Sequence, residues 1–453
     1  MQVKSEFPYN LFRINNFSIS GKGFGIIPKV NTMDFSKNNE ISRRNFLQTA
    51  TAAAGILLTS GAAVAVENLA VSDENKPVEA KKLIVKKQKF SVKSFHFEDA
   101  DVSIPVEIGY ETWGKLSPNK DNAVMICHFF TGTSHAAGRY AESDETPGWW
   151  DNLIGPGKAI DTDKYFVICT DSISNINARN PMVITTGPAS INPATGRHYG
   201  AGFPIFTLKD VVKLQRQLVE SLGIKKLQAI LGPSMGGLQS FMWARHFGDM
   251  SGKIVSVAAT PLIEAYGIMI PNQLGIEAIR LDPDWDNGDY YGKTIPERGL
   301  LLAFKILLMA TRTEDWAERN FSRQYADPAF INSPNPFKSF SGKYKVEKEI
   351  ENIVLGRMKF FDPNSYMYIA KANTLYDLRE NDESLESALS KIKNPTLMII
   401  DESDLVFTKP QAEKARKMLP NCNNFYYNSK NGHLSCIYES EYFEKAIRNF
   451  IAS

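Results

Sequence analysis

Leu227-Gln228-Ala229-Ile230-Leu231-Gly232-Pro233-Ser234-Met235-Gly236-Gly237-Leu238-Gln239-Ser240-Phe241-Met242-Trp243-Ala244-Arg245-His246-Phe247 is the stretch whose reading decides the fold. A short apolar run precedes Gly232, and after Gly237 the apolar residues Leu238, Phe241, Met242 and Ala244 recur at helical spacing. A Gly-x-Ser-x-Gly string by itself marks an ordinary loop in most chains; between a strand and a helix it predicts a sharp turn with the serine at its tip. Gly232 and Gly236 lack side chains where the backbone must close tightly, so Ser234 can take strained dihedrals and present its hydroxyl clear of both elements. Ser234 is the candidate nucleophile.

Working outward, apolar runs at Ala123–Cys127, Tyr165–Cys169, Ile254–Ala258 and Pro395–Ile400 read as strands buried on both faces of a parallel sheet. Alternation through Phe90, Val92, Phe95, Phe97, Val106 and Ile108 predicts opening strands, partly antiparallel. Thr207–Leu222 reads as an amphipathic helix with Thr207 as N-cap and Gly223 at its stop. After the Pro395–Ile400 strand come a helix from Lys409 to Leu419, a strand from Asn423 to Tyr427 and a closing helix from Glu439 to Ile451. Between Ala265 and Ser390 the strand signal gives way to helical periodicity, broken by turns near Pro328 and Pro334-Asn335-Pro336. The expected fold is α/β: a doubly wound, mostly parallel sheet of the α/β-hydrolase kind with an inserted helical cap. Its boundaries are an extension at 1–80, core at 81–264, cap at 265–390 and core again at 391–453.

The chain has 453 residues, 43% of them hydrophobic, and a formal charge of +2. No Lys/Arg-rich block is present, so neither nucleic acid nor an anionic membrane surface is an expected partner and a small-molecule substrate is the default. The four cysteines form no CxxC or Cys/His cluster, which removes zinc and redox motifs of the usual spacing. Cys127 and Cys169 read as buried thiols, and a Cys422–Cys436 pair is left open. Residues 1–41 lack periodicity and are expected to be disordered or not translated at all, with Met33 as the alternative start. Ser42-Arg43-Arg44-Asn45-Phe46-Leu47, followed by an Ala-rich run ending in Ala63-Val64-Ala65, reads as a twin-arginine export signal cleaved after Ala65. That run contains Gly55, Gly61 and several Thr and Ser, making it a poor permanent anchor. The expected location is therefore outside the cytoplasmic membrane, without stable membrane insertion, the alternative being cytoplasmic.

A serine elbow requires a histidine base and a carboxylate to orient it, in the chain order Ser, acid, His. Of six histidines only His246 and His433 follow Ser234. His246 lies twelve residues along the elbow's own helix, roughly 18 Å away. His433, after the last strand, is the candidate base. For the acid, Asp401, Glu402 and Asp404 all follow the Pro395–Ile400 strand, and local order does not choose among them. Oxyanion stabilisation would come from the backbone N–H of Met235 and from the loop after the Ala123–Cys127 strand, at Phe130.

From Gly109 onward the chain resembles the homoserine O-acetyltransferases, an α/β-hydrolase-fold family that moves an acetyl group from acetyl-CoA through an acyl-serine. The stretches that carry the resemblance are Tyr110-Glu111-Thr112-Trp113-Gly114, Cys127-His128-Phe129-Phe130-Thr131-Gly132, Gly148-Trp149-Trp150-Asp151, Thr186-Gly187-Pro188-Ala189-Ser190-Ile191-Asn192-Pro193, the elbow, Asp282-Pro283-Asp284-Trp285 and Phe361-Asp362-Pro363-Asn364-Ser365-Tyr366. The family's acid sits in a Ser-Asp-x-x-Phe setting, which matches Ser403-Asp404-Leu405-Val406-Phe407 and selects Asp404. The resemblance also implies a homodimer through cap helices.

Two departures concern the substrate. Where the family carries an arginine for the acceptor's carboxylate, after a Pro-x-x-Gly-Leu turn, this chain has Phe304; where the family has an aspartate beside the base, it has Leu434. With Thr131, these are the candidate pocket residues. Export would also separate the protein from acetyl-CoA. The leading expectation is thus an exported esterase or acyl hydrolase with no bound cofactor and no metal. The alternatives are a genuine homoserine acetyltransferase, using acetyl-CoA as donor, and a non-catalytic binding protein on the same scaffold.

Overall fold

The computed structural model describes residues 83–326 and 343–453. The export segment, the linker before Lys81 and the turns near Pro328 and Pro334–Pro336 lie outside the described residues.

Strands β1 (Gln88–Phe97) and β2 (Val102–Trp113) form an antiparallel hairpin. The inward-pointing residues step from Val92 to Phe95, an odd interval that would reverse the face. A register irregularity between those two residues absorbs the extra position and keeps Phe95 and Phe97 buried. Strands β3 (Ala123–Ile126), β6 (Phe166–Thr170), β7 (Leu227–Pro233), β8 (Ser251–Val257), β9 (Thr396–Asp401) and β10 (Cys422–Tyr427) complete an eight-stranded sheet in the order β1-β2-β6-β3-β7-β8-β9-β10. Pairings from β6 to β10 are all parallel; the hairpin and the β2–β6 contact are antiparallel. The short strands β4 (Ile154–Gly155) and β5 (Ile160–Asp161) pair separately.

Continuous apolar runs in the central strands are explained by burial on both faces. In β3, Ala123 and Met125 join one core while Val124 and Ile126 join the other; in β9, Met398 and Ile400 face opposite to Leu397 and Ile399. Helix α1 (Leu208–Ser221) covers the first face, opened by a capping box between Thr207 and Asp210. Helix α2 (Met235–His246) lies beneath it, with every residue from Met235 to Ala244 buried. The second face is closed by the C-terminal helix. The segment expected as one helix from Glu439 is not one: a short helical turn at Ser435–Tyr438 precedes it, and it divides into a 3₁₀ turn at Ser440–Tyr442 and a helix at Glu444–Ala452. Phe443, buried at the break, joins the second core through this kink.

Between β8 and β9 the described elements are helical, including α3 (Leu274–Arg280), α4 (Glu297–Ala310), α5 (Lys345–Met358) and α6 (Pro363–Thr374). Their apolar faces share one core with α1, α2 and the first face of the sheet. Among the described residues no helix is long and apolar enough to cross a membrane.

Candidate active site

The turn between β7 and α2 holds Ser234 at φ 55°, ψ −122°. A non-glycine residue pays strain for this region, so the neighbours must over-determine it. They do: Ser234 N–H donates to Val257 O at 2.8 Å, and the N–H groups of Gly237 and Leu238 donate to Ser234 O at 2.8 and 3.2 Å. A Cβ added at Gly232 or Gly236 would overlap the Cys127 carbonyl oxygen at the end of β3. The two glycines are required because the elbow is pressed against the neighbouring strand.

His433 is brought to this point from the loop after β10. Its Nε2 lies 2.7 Å from Ser234 Oγ and its Nδ1 lies 2.7 Å from Asp404 Oδ2. Both His433 and Asp404 are buried, while Ser234 is partly accessible. The other oxygen of Asp404 accepts from the backbone N–H groups of Val406 (2.7 Å) and Phe407 (3.1 Å), which fixes the carboxylate's orientation. In this geometry, with the Nδ1 proton held by the carboxylate, Nε2 is free to accept the serine's proton.

The three acids left open by local order now separate. Asp401 faces away from the imidazole: its Oδ1 accepts from Ser403 N–H and O–H and from Ser429 N–H, and its Oδ2 accepts from Ser435 Oγ at 2.8 Å. Burial raises its pKa. Glu402 is at the surface, paired with Lys409 at 2.7 Å. His246, at the far end of α2, sits 3.3 Å from Glu380, and burial lowers its pKa to about 4. The loop histidines after β3 are also engaged elsewhere. His135 Nδ1 lies 2.9 Å from Glu111, within a buried cluster that also contains Lys87, Asp171 and Tyr140. Burial lowers the pKa of His128, whose Nδ1 contacts Phe129 O at 2.7 Å.

Ser234 and His433 open into a cavity of about 160 Å³ between sheet and cap. The candidate oxyanion residues Phe130 and Met235 line it, and so do all three candidate pocket residues, Thr131, Phe304 and Leu434. Phe304 stacks on Phe361 with centroids 4.4 Å apart and planes at 10°. The long connection after β6 braces the loop carrying Phe130 and Thr131: Asn175 Nδ2 donates to Gly132 O at 3.0 Å, and Asn177 Nδ2 to Thr131 O at 3.1 Å. A single π-helical turn at Met269–Gln273 contributes Pro271 and Asn272 to the cavity wall.

Two arginines in the lining, Arg312 and Arg357, were not anticipated as site residues. An arginine just beyond an apolar helix, or near the end of another, carries no sequence signal that separates it from a solvated one. All four cysteines are free thiols, so Cys422 and Cys436 do not pair. Among the described residues no cluster of His, Cys, Asp and Glu could hold a metal ion.

With the geometry in hand, comparison with known proteins gives a consistent picture. Residues 122–440 match the α/β-hydrolase fold family. The homoserine O-acetyltransferase of Deferribacter desulfuricans is 41% identical over 327 residues, spanning 72% of this chain and 83% of that protein. That of Geotalea daltonii is 37% identical over 353 residues, 77% of this chain and 92% of that one. Among solved structures, homoserine O-acetyltransferase from Bacillus anthracis superposes with a TM-score of 0.78 at 40% identity, covering 82% of this chain and 98% of its own. Esterase E22 superposes with a TM-score of 0.76 at 34% identity, covering 81% and 100%. The chain belongs to the homoserine O-acetyltransferase-like family of the α/β-hydrolase superfamily.

Proposed function

We propose that this enzyme transfers an acetyl group from acetyl-CoA to the hydroxyl of homoserine through a covalent acyl-Ser234 intermediate. The observation that carries the reading is the unbroken chain of hydrogen bonds from Asp404 through His433 to Ser234 at a largely apolar cavity. Relatives 33–41% identical over most of this chain, all named homoserine O-acetyltransferase, support acetyl transfer over the exported hydrolase that the sequence alone favoured.

In the first half-reaction His433 Nε2 takes the Ser234 proton as Oγ attacks the thioester carbonyl. The N–H groups of Phe130 and Met235 stabilise the tetrahedral oxyanion, the latter at the positive end of α2. The C–S bond breaks, and the imidazolium returns its proton to the departing thiolate. In the second half-reaction the acceptor's hydroxyl gives its proton to His433, attacks the acyl-serine, and displaces Ser234 Oγ, which regains the proton. Asp404 holds the ring and stabilises its charged form at both stages.

A second reading, ester hydrolysis with water as acceptor, is favoured by Phe304 and Leu434, which place apolar side chains where the resemblance puts the acceptor's charged contacts. The similarity to esterase E22 is compatible with it. On that reading the segment around Arg43-Arg44 would direct export. A homodimer through the cap helices belongs to either reading; Leu302 and Met309 on α4 are exposed. The deciding experiment measures CoA thiol release by the purified protein with and without homoserine. Release that depends on homoserine and disappears in Ser234→Ala supports acetyl transfer; acetyl-ester hydrolysis with no response to homoserine supports the second reading.

A further inference from the structure

Arg312 lines the same cavity as Ser234 and His433. Its backbone lies against the loop that carries the base: a Cβ on Gly432 would stand 3.3 Å from Thr311 O and 3.5 Å from the Arg312 carbonyl carbon. The guanidinium is held between aromatic faces, 4.5 Å from the Trp316 ring centroid and 5.8 Å from that of Tyr438. Among the described residues no carboxylate comes within ion-pair distance of it, and its Nε is buried without an acceptor. Glu439, whose field reaches Arg312, is already engaged: one oxygen accepts from Asn431 Nδ2 at 2.6 Å and the other from Ser429 Oγ.

Arg245, whose side chain is also largely buried, is paired with acids. Arg245 bonds Glu383 at 2.6 Å, Glu380 at 3.2 Å and Leu378 O at 3.0 Å. Burial disfavours the charged form of Arg312, yet a guanidinium stays protonated in proteins, so its charge is left for something else to neutralise. A planar donor fork in an apolar cavity suits a carboxylate.

We propose that Arg312 anchors the carboxylate of the acyl acceptor, a positioning role taken over at the end of α4 because Phe304, eight residues earlier, cannot provide it. The proposal rests on the acyl-transfer reading above. It specifies a carboxylate-bearing acceptor, or a carboxylate-bearing ester if water is the acceptor. The phosphates of CoA are the other possible anion, and the test separates the two. Arg357, exposed on α5, also lines the cavity and is better placed for a donor that stays near solvent.

The experiment compares acetyl transfer to homoserine and to homoserinol, in which a hydroxymethyl group replaces the carboxylate. Each acceptor is run with acetyl-CoA and with p-nitrophenyl acetate as donor. In Arg312→Met the homoserine-to-homoserinol ratio of kcat/KM should fall about tenfold to a hundredfold with either donor, mainly through KM for homoserine. Arg312→Lys should restore part of that preference. If homoserine is not used, the same ratio is read from hydrolysis of monomethyl and dimethyl glutarate. An unchanged ratio in a folded Arg312→Met, or a loss confined to acetyl-CoA, overturns the proposal. Failure of a fluorophosphonate to label wild-type Ser234, with no acetyl transfer from either donor, would instead overturn the acyl-transfer reading and the proposal with it.

Discussion

Replacing Asp404 by Asn separates the three acids at the end of β9 and just beyond it. The amide oxygen can keep the bonds from Val406 and Phe407 N–H, so the loop retains its shape. The amide nitrogen then faces His433 Nδ1 across 2.7 Å. Two donors cannot share that contact, so the ring adopts the tautomer with its proton on Nε2 and turns a donor toward Ser234. The serine loses its base. Where only the tautomer is wrong, the cost is about 10⁴-fold in kcat, or roughly 5.5 kcal/mol of transition-state stabilisation. Folding should suffer by only about 1 kcal/mol, the difference between a charge-assisted and a neutral hydrogen bond. Asp401→Asn should do the reverse. Its amide can donate to Ser435 Oγ, which can turn its own proton toward Tyr427 Oη at 2.8 Å, so kcat should stay within about threefold while stability drops by about 1 kcal/mol. Glu402→Gln removes one exposed ion pair and should change stability by no more than about 1 kcal/mol. The assay is steady-state acetyl transfer or ester turnover, paired with thermal melting. An Asp404→Asn enzyme within about tenfold of wild type, or an Asp401→Asn enzyme equally impaired in kcat, would refute the reasoning.

Gly236→Ala forces a methyl group into the Cys127 carbonyl, so the expected result in a fluorophosphonate assay is loss of Ser234 labelling, through displacement of the elbow or failure to fold. Phe304→Ala removes a buried ring stacked on Phe361 and should cost roughly 3 kcal/mol in denaturant unfolding while shifting the preferred acyl chain length upward in an ester series. Glu98 ties the end of β1 to α1 through Lys213 and Lys209; chiefly the Lys213 hydrogen bond lowers its pKa from 4.5 to about 2. A depressed carboxylate contributes stability above its unfolded pKa and loses it as pH falls toward its folded one. Urea midpoints of wild type and Glu98→Gln should therefore differ at pH 7 and converge between about pH 4.5 and 2; a constant gap would show that the pair contributes nothing through titration.

Where local pattern fixed the geometry, the fold was legible. The elbow is a contiguous strand, turn and helix, and continuous apolar runs marked the strands because the sheet is covered on both sides. His433 could be reached by elimination, since the fold constrains chain order. The acid could not be chosen from local order, because Asp401, the last residue of β9, and Asp404, three residues on, differ in which way each side chain turns; burial against Ser429 and Ser435 decides for one, and contact with His433 for the other. Arg312 was illegible for a similar reason. Its meaning comes from the lack of an acid partner among the described residues and from its place in the cavity between Trp316, Tyr438 and the Gly432 turn. The buried Lys87–Glu111–Asp171 cluster, assembled from three separate segments, was equally invisible to spacing. The closing helix was placed too early because amphipathic spacing continues through the Ser440–Tyr442 turn without showing the break.

The most direct test of the central claim is rapid-quench mass spectrometry of the purified protein mixed with acetyl-CoA or p-nitrophenyl acetate. The account predicts one acetyl group per chain on the peptide containing Ser234, formed before the first turnover is complete, consumed on adding the acceptor and absent in Ser234→Ala. Turnover with no adduct at Ser234, or with an adduct on another residue that Ser234→Ala leaves intact, would contradict it.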